Sequence, residues 1–274
     1  MPGCPLYCKA NKGYPGFNRA DDMKIQSVQR ALDIISLFSK SRPHYKLTGI
    51  ARSLNLSVST AHGLVSTLEQ NGFLRQDPRT REYRLGAKIY EQGCHFAAGL
   101  NINLHAARPA QDLARRNNLT ARVGIWDSNS VIITLFAFPQ GTANSAHNFG
   151  PRLLPYCTAI GKAILAFMDR KACLSYLEGE TLVRHTKYTL TTIEDILADL
   201  EKTHERGYAV NRAEWSLGRS GIAAPIRGPG NEIEGAVSLP GNTDDILGEN
   251  IRRLANDLLH TASEISESLG FLPA

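Results

Sequence analysis

Residues 54–72 read LNLSVSTAHGLVSTLEQNG. Ala61, Leu64, Val65 and Leu68 recur at helical spacing, while the opposite face, Ser59, His62, Gly63 and Ser66, is polar yet carries no charge. Ser57 is placed to cap the start of this helix, and Asn71-Gly72 is a stop signal at its end. A face of short, uncharged hydrogen-bonding groups needs a partner with hydrogen-bonding edges of its own.

The flanking segments identify that partner. In MKIQSVQRALDIISLFSK, from Met23, residues Val28, Leu32, Ile35 and Phe38 fall on one helical face. After a break at SRPHY, Leu47, Ile50, Ala51 and Leu54 make a two-turn amphipathic helix. Beyond Gly72, FLRQD and EYRLG read as two short strands around the turn PRTR. Three helices and a basic hairpin over residues 23–88 spell a winged helix-turn-helix. In that arrangement the second helix of the pair meets base edges in the major groove, and the hairpin lies along the phosphate backbone. The expected contacts to double-stranded DNA are Ser57, Ser59, Thr60, His62 and Ser66 from the helix, with Arg75, Arg79, Arg81 and Arg84 from the wing. A protein-docking winged helix shares the same core, but its wing has no need of so many arginines.

Charge separates the same segment from the rest. The total is +5, yet residues 23–88 hold eleven Lys/Arg against four Asp/Glu, and residues 89–274 hold 17 against 20. A basic module followed by a mildly acidic one fits phosphate neutralisation by the first. With 274 residues, 42% hydrophobic and 21% charged, the composition is that of an ordinary globular chain. No apolar run reaches the roughly 18–20 residues of a membrane helix, and no secretory signal pattern opens the sequence, so no membrane partner and a cytoplasmic location are expected. Residues 1–22 read as a disordered extension rich in turn formers, and the sequence leaves open whether translation starts at Met1 or Met23. The five cysteines, two of them (Cys4 and Cys8) in that extension, lack metal-ligand spacing, so neither metal nor cofactor is expected.

Residues 89–104 read as a linker helix apolar enough to pack on a partner. From 105 onward, strand pairs (ARVGIWD with SVIITLFAF, SGIAAPIRG with EIEGAVSLPG) alternate with helices without regular βαβ order. That pattern points to an antiparallel α+β domain over 105–274. Enzymatic motifs fail here. TAIGKA lacks the first glycine of a phosphate loop and carries Ala163 in place of its Ser/Thr, and GxSxG, HExxH and GxGxxG are all missing. Cys157, beside Pro155 and Tyr156, reads as a small packed side chain. What the segment GPRLLPYCTAIGKAIL offers is a helix start with Thr158 near its first turn, where the N–H groups of Ala159, Ile160 and Gly161 would favour a carboxylate.

The pieces SVQRALDIISLF, STAHGLVSTLEQNGFLRQDPRTREYRLG, TAIGKAILA, RGYAVNRAEWSLGRSGIAAPI and AVSLPG, in that order, resemble bacterial transcription regulators of the IclR family. The resemblance implies an N-terminal winged helix-turn-helix, a linker helix and a C-terminal GAF-like antiparallel α/β effector-binding domain. It also places Tyr156 through Gly161 (Tyr156, Thr158, Ala159, Ile160 and Gly161), Asn211, Glu214, Gly221 and Ser238 at the effector site. Against the family pattern, Val58 and Gly63 replace basic residues of the recognition helix, Tyr156 a histidine, Asn211 an aspartate and Gly221 a cysteine. Base contacts should then be softer, and the site kinder to an anion. The implied protein is a homodimer or homotetramer that binds a pseudo-palindromic operator under control of a small organic acid. The competing reading is a small-molecule-processing enzyme with a fused winged helix, which would need a catalytic pair in residues 105–274.

Overall fold

The computed structural model describes residues 25–141 and 152–272, so the extension over 1–22, with Cys4 and Cys8, lies outside the described residues. The chain divides into two compact units between Phe96 and Ala97. Among the described residues no helix is long and apolar enough to cross a membrane.

The first unit holds α1 (Gln26–Leu37), α2 (Leu47–Ser53), α3 (Val58–Gln70), strands β1 (Leu74–Gln76) and β2 (Tyr83–Leu85), and all but the last two residues of α4 (Ala87–Ala98). Its core joins Ile34, Phe38, Ile50, Val65, Leu68 and Leu74 to Tyr45 and Tyr83. Tyr45 and Tyr83 exchange backbone hydrogen bonds of 3.0 and 2.7 Å, which ties the α1–α2 connection to the wing. Phe38 meets Tyr45 edge-on at 5.3 Å.

Two sequence expectations need correcting. Val28 and Leu32 do not face the core: they are 54% and 53% exposed, and α1 instead turns Ile34 inward beside Ala31, Ile35 and Phe38. Both sets have helical spacing, so periodicity alone selects neither. The segment 89–104 is not one helix: α4 ends at Ala98, and Asn101 already begins α5 (Asn101–Asn117).

The second unit is built on a six-stranded sheet in the order β5-β4-β3-β8-β7-β6, antiparallel throughout. The strands are β3 (Ala121–Asp127), β4 (Ser130–Ala137), β5 (Arg152–Leu153), β6 (Ala209–Ser216), β7 (Arg219–Arg227) and β8 (Ile233–Asn242). Ser128 and Asn129 both take positive φ, the tight two-residue hairpin that joins β3 to β4. The helices are α6 (Ala159–Phe167), α7 (Arg170–Gly179), α8 (Ile193–Arg206), α9 (Thr243–Leu247) and α10 (Ile251–Ser268).

Alternation along the strands sorts the two sheet faces. Ala121, Val123, Val210, Ile222, Val237 and Leu239 pack with α5 and α10, and Ala209, Ala223 and Ala236 pack with α6. Small residues on the second face let α6 lie close. Gly161 lets the start of α6 lie on the turn before it, since a Cβ there would collide with the backbone of Pro155.

Two glycines in helices therefore predict opposite outcomes. At Gly63 of α3 a Cβ meets nothing within 4 Å, so Gly63→Ala should stabilise the first unit by about 0.5–1 kcal/mol. Gly161→Ala should destabilise the second by about 1–3 kcal/mol. Both tryptophans, Trp126 and Trp215, lie in the second unit, so urea unfolding followed by their fluorescence and by far-UV circular dichroism separates the two effects.

Candidate functional site

In the first unit Ser57 caps α3, its Oγ accepting from the Thr60 N–H at 3.1 Å and lying 3.0 Å from Ser59 Oγ and 2.8 Å from Thr60 Oγ1. Ser57 thus belongs to the helix terminus first. Ser59, Thr60, His62 and Gly63 are exposed and Ser66 half-buried on the outward side, while Ala61, Val65 and Leu68 face the core.

The wing is fastened to this helix by Glu69, whose Oε1 accepts the Gln76 N–H at 2.8 Å. Its tip is folded by Asp77, which accepts from the N–H groups of Arg79 (2.8 Å) and Thr80 (3.0 Å). Those bonds, that from Thr80 foremost, hold the Asp77 carboxyl below the ordinary carboxylate value. Arg75, Arg79, Arg81 and Arg84 are all exposed, and Arg75 sits directly across the ladder from Arg84. Like charges so placed disfavour the hairpin until an anion offsets them. The structure therefore presents the nine residues read from sequence as one helix surface and one cationic hairpin.

In the second unit the start of α6 lies against the sheet. Thr158 caps it, accepting the Gly161 N–H at 3.4 Å and donating its hydroxyl to the Leu154 carbonyl at 2.7 Å. Asn211 donates its amide to the Cys157 carbonyl, so β6 grips the turn that leads into the helix. Gly221 faces Ala159, whose Cβ would stand 3.7 Å from a Cβ at 221. Ser238, one strand over, is on the same face and 5% exposed.

Thr158, Ala159, Ile160, Asn211 and Gly221 are thus gathered at one end of α6, with Ser238 on the same sheet face beside Ala223. Three expected details differ. The Gly161 N–H is already taken by Thr158, which leaves the N–H groups of Ala159 and Ile160 as the first-turn donors. Tyr156 points away into the cluster of Cys173, Tyr176, Leu177 and Ile196, bonding the Val183 carbonyl at 2.9 Å with His185 Nε2 at 3.2 Å. Glu214 is turned to Lys162.

That last contact was not legible. Lys162, 1% exposed, places its Nζ 2.6 Å from Glu214 and 2.9 Å from Asp199, joining α6 to β6 and α8. An irregular ladder between Asn211 and Ser216, with Ala213 at φ 57, swings Glu214 inward against strand alternation. Thr186 and Thr189 brace it by donating to the carbonyls of Ala213 (2.8 Å) and Glu214 (2.6 Å). Burial pushes the Glu214 carboxyl up, and the Lys162 ammonium opposes that rise. Burial, with the Glu214 charge behind it, also pushes the Cys157 thiol up, which keeps it protonated and unsuited to attack.

Arg122 is the second residue the motifs missed. Register sets it opposite both Phe136 and Ser238, its Cζ lying 5.7 Å from the Phe136 ring centre. Burial and the nearby Arg219 guanidinium pull it down to about 10. The available signal was an arginine flanked by Ala121 and Val123, which period-two alternation assigns to the face away from α5.

Comparison with known proteins agrees with both halves. A family profile described as "IclR helix-turn-helix domain" matches residues 27–78, and one described as "Bacterial transcriptional regulator IclR C-terminal" matches residues 94–267. The regulator XynR of Escherichia coli K12 is 32% identical over 248 residues, covering 90% of this chain and 98% of its own. The IclR structure from Thermotoga maritima superposes with a TM-score of 0.74 at 27% identity, covering 90% of this chain and all (100%) of that one. An IclR homologue from Microbacterium hydrocarbonoxydans, solved with 4-hydroxybenzoate, shares the fold at a TM-score of 0.76 and 20% identity over 89% of this chain and 98% of its own. The chain belongs to the IclR family of bacterial transcription regulators. It is a DNA-binding regulator and not an enzyme.

Removing the Lys162 charge tests its role. Lys162→Met leaves a buried carboxylate without its cation and should cost the second unit about 3–5 kcal/mol. The double variant Lys162→Met/Glu214→Leu should recover most of that. In the single variant Glu214 titrates above its unfolded value, so the deficit should shrink as pH falls and the carboxyl takes up a proton. Tryptophan-monitored urea unfolding across pH checks both statements.

Proposed function

We propose that this chain is a ligand-controlled regulator that binds a pseudo-palindromic operator as a dimer, or as a tetramer built from dimers, in the cytoplasm. Its DNA-binding domain is read as residues 23–88, its linker as 89–104 and its effector domain as 105–274. The observation that carries the reading is the pairing of an uncharged hydrogen-bonding face on α3 with a wing whose Arg75 and Arg84 oppose each other. Phosphates would relieve the wing, and base edges would satisfy Ser59, Thr60, His62 and Ser66.

Pairing of copies is supported by apolar surface that the first unit does not use. Val28 and Leu32 stand out on α1, and α4 buries no residue while exposing Tyr90 (76%) and Phe96 (52%). A second copy covering these faces would present two recognition helices about a two-fold axis, with half-sites about one helical turn, roughly 10 bp, apart. Footprinting should show two such half-sites. Leu32→Asp should shift sedimentation towards the monomer and leave the fold intact, since the residue is 53% exposed and lies outside the core cluster of the first unit.

For control, the reading is a small organic acid whose carboxylate meets the first-turn N–H groups of Ala159 and Ile160, with Ser238, Thr158, Gly221 and Asn211 around it. The fold relative solved with 4-hydroxybenzoate, itself an organic acid, supports this class. The effector acts by preferring one arrangement of the DNA-binding heads, and it shifts operator affinity by its differential affinity for the two states.

Arg79→Ala and Arg81→Ala should weaken binding to every DNA sequence alike and reduce the salt slope by about one unit per lost phosphate contact. Ser59→Ala and His62→Ala should mainly relax sequence preference. Fluorescence anisotropy against salt, on operator and scrambled duplexes, reads both. A wing substitution that alters preference with the slope intact would refute the assignment.

A further inference from the structure

The wing ends in a turn whose geometry suits glycine and holds an arginine instead. Residues 77–82 close on themselves through the backbone: the Asp77 N–H donates to the Glu82 carbonyl at 2.8 Å, and the Arg81 N–H to the Asp77 carbonyl at 2.9 Å. This closure puts Arg81 at φ 60, in the left-handed region. Hairpin loops often need one such residue, and glycine or asparagine fills the position readily, whereas a long side chain is strained there. Arg81 is exposed, and its guanidinium makes no hydrogen bond or ion pair among the described residues. Nothing inside the hairpin compensates for the choice of arginine.

Gln76 holds that conformation. At the end of β1, it donates from Nε2 to the Arg81 carbonyl at 3.0 Å, while its own backbone N–H is accepted by Glu69 Oε1 at 2.8 Å. Two side-chain hydrogen bonds therefore run from the last turn of α3, through Gln76, to the peptide unit that follows Arg81. With its N–H and its carbonyl both taken, Arg81 has a fixed backbone, and the direction in which its side chain leaves is set relative to α3. Arg79 has only its N–H tied among the described residues, to the Asp77 carboxylate. Strain that the surroundings over-determine at an exposed residue points to a use outside the hairpin. A guanidinium already aimed loses less freedom when it meets a phosphate, and its planar fork matches that anion.

We propose that Gln76 is a positioning residue for DNA binding: by tying the Arg81 carbonyl it keeps Arg81 left-handed and in register with α3, so that the guanidinium meets a backbone phosphate already aimed. The strain lowers the stability of the free hairpin, and the phosphate contact offsets it. This rests on the reading of the wing as the phosphate-binding element. It adds Gln76, which touches no DNA itself, and it ranks Arg81 above Arg79.

A double-mutant cycle on the full-length protein tests it, read by fluorescence anisotropy across salt on a labelled duplex of scrambled sequence. Gln76→Met keeps the stem and removes the donor. It should weaken binding about three- to tenfold and flatten the salt slope towards that of Arg81→Ala, with no further effect in the Arg81→Ala background. Arg81→Ala should weaken binding more than Arg79→Ala does. Urea unfolding followed by far-UV circular dichroism gives a second reading without DNA: Arg81→Gly, which relieves the left-handed strain, should leave the first unit more stable than Arg81→Ala, although both lack the guanidinium. The same spectra show that each variant is folded. If Gln76→Met leaves affinity and slope unchanged, or weakens binding as much in Arg81→Ala as in the parent protein, or if Arg81→Gly is no more stable than Arg81→Ala, the positioning inference is overturned while the wing reading stands. If Arg81→Ala itself leaves affinity and slope unchanged, both fall.

Discussion

The ammonium of Lys162 is the point on which the second unit turns. A lysine inside a nine-residue helix of otherwise apolar and small residues is stable there only with its charge answered, and it is answered twice, by Glu214 and Asp199. Because these come from β6 and α8, the ion cluster fixes α6 against both. It also explains why β6 breaks its ladder where it does, for Glu214 must leave strand alternation to reach the ammonium. The position of the α6 terminus follows from that one buried charge together with the close approach of Gly161 to Pro155.

The first unit solves a different problem. Its core is small and relies on aromatic groups, with Tyr45 and Tyr83 spending their backbone on each other and their rings on the core. What remains outside is arranged by polar groups acting on backbone, Ser57 at the start of α3, Glu69 between α3 and β1, Asp77 at the wing tip. Short side chains that satisfy neighbouring N–H groups hold the recognition surface in shape before any partner arrives.

What was legible in the sequence is what local chemistry governs. The cap at Ser57, the stop at Asn71-Gly72 and the cap at Thr158 all depend on neighbours within four residues. The errors have equally definite causes. The apolar residues of α1 form two overlapping helical stripes, and only tertiary packing shows that Ile34 lies inside and Val28 outside. Lys162 finds its partners 37 and 52 residues away, and Glu214 reaches it through a bulge that no alternation pattern announces. Arg122 comes to stand opposite Ser238 only through the register of β3 on β8.

The hydroxyl-rich surface of α3 has a consequence for how sequence information is stored. An arginine or a glutamine presents a fixed donor or acceptor pattern, but the Ser66 hydroxyl rotates, and those of Ser59 and Thr60, once turned from Ser57, can each donate to one base edge or accept from another. Gly63, with no side chain and open space above it, adds nothing to the alphabet. A surface of this kind tolerates many spellings of the same half-site, and each mismatch costs little. On the two-half-site operator proposed above, discrimination would move from the letters to the ruler: the separation and phase of the half-sites, and the ease with which the DNA between them bends to match. A regulator that reads distance more than spelling can be switched by a small displacement, because a change in spacing alters every contact at once.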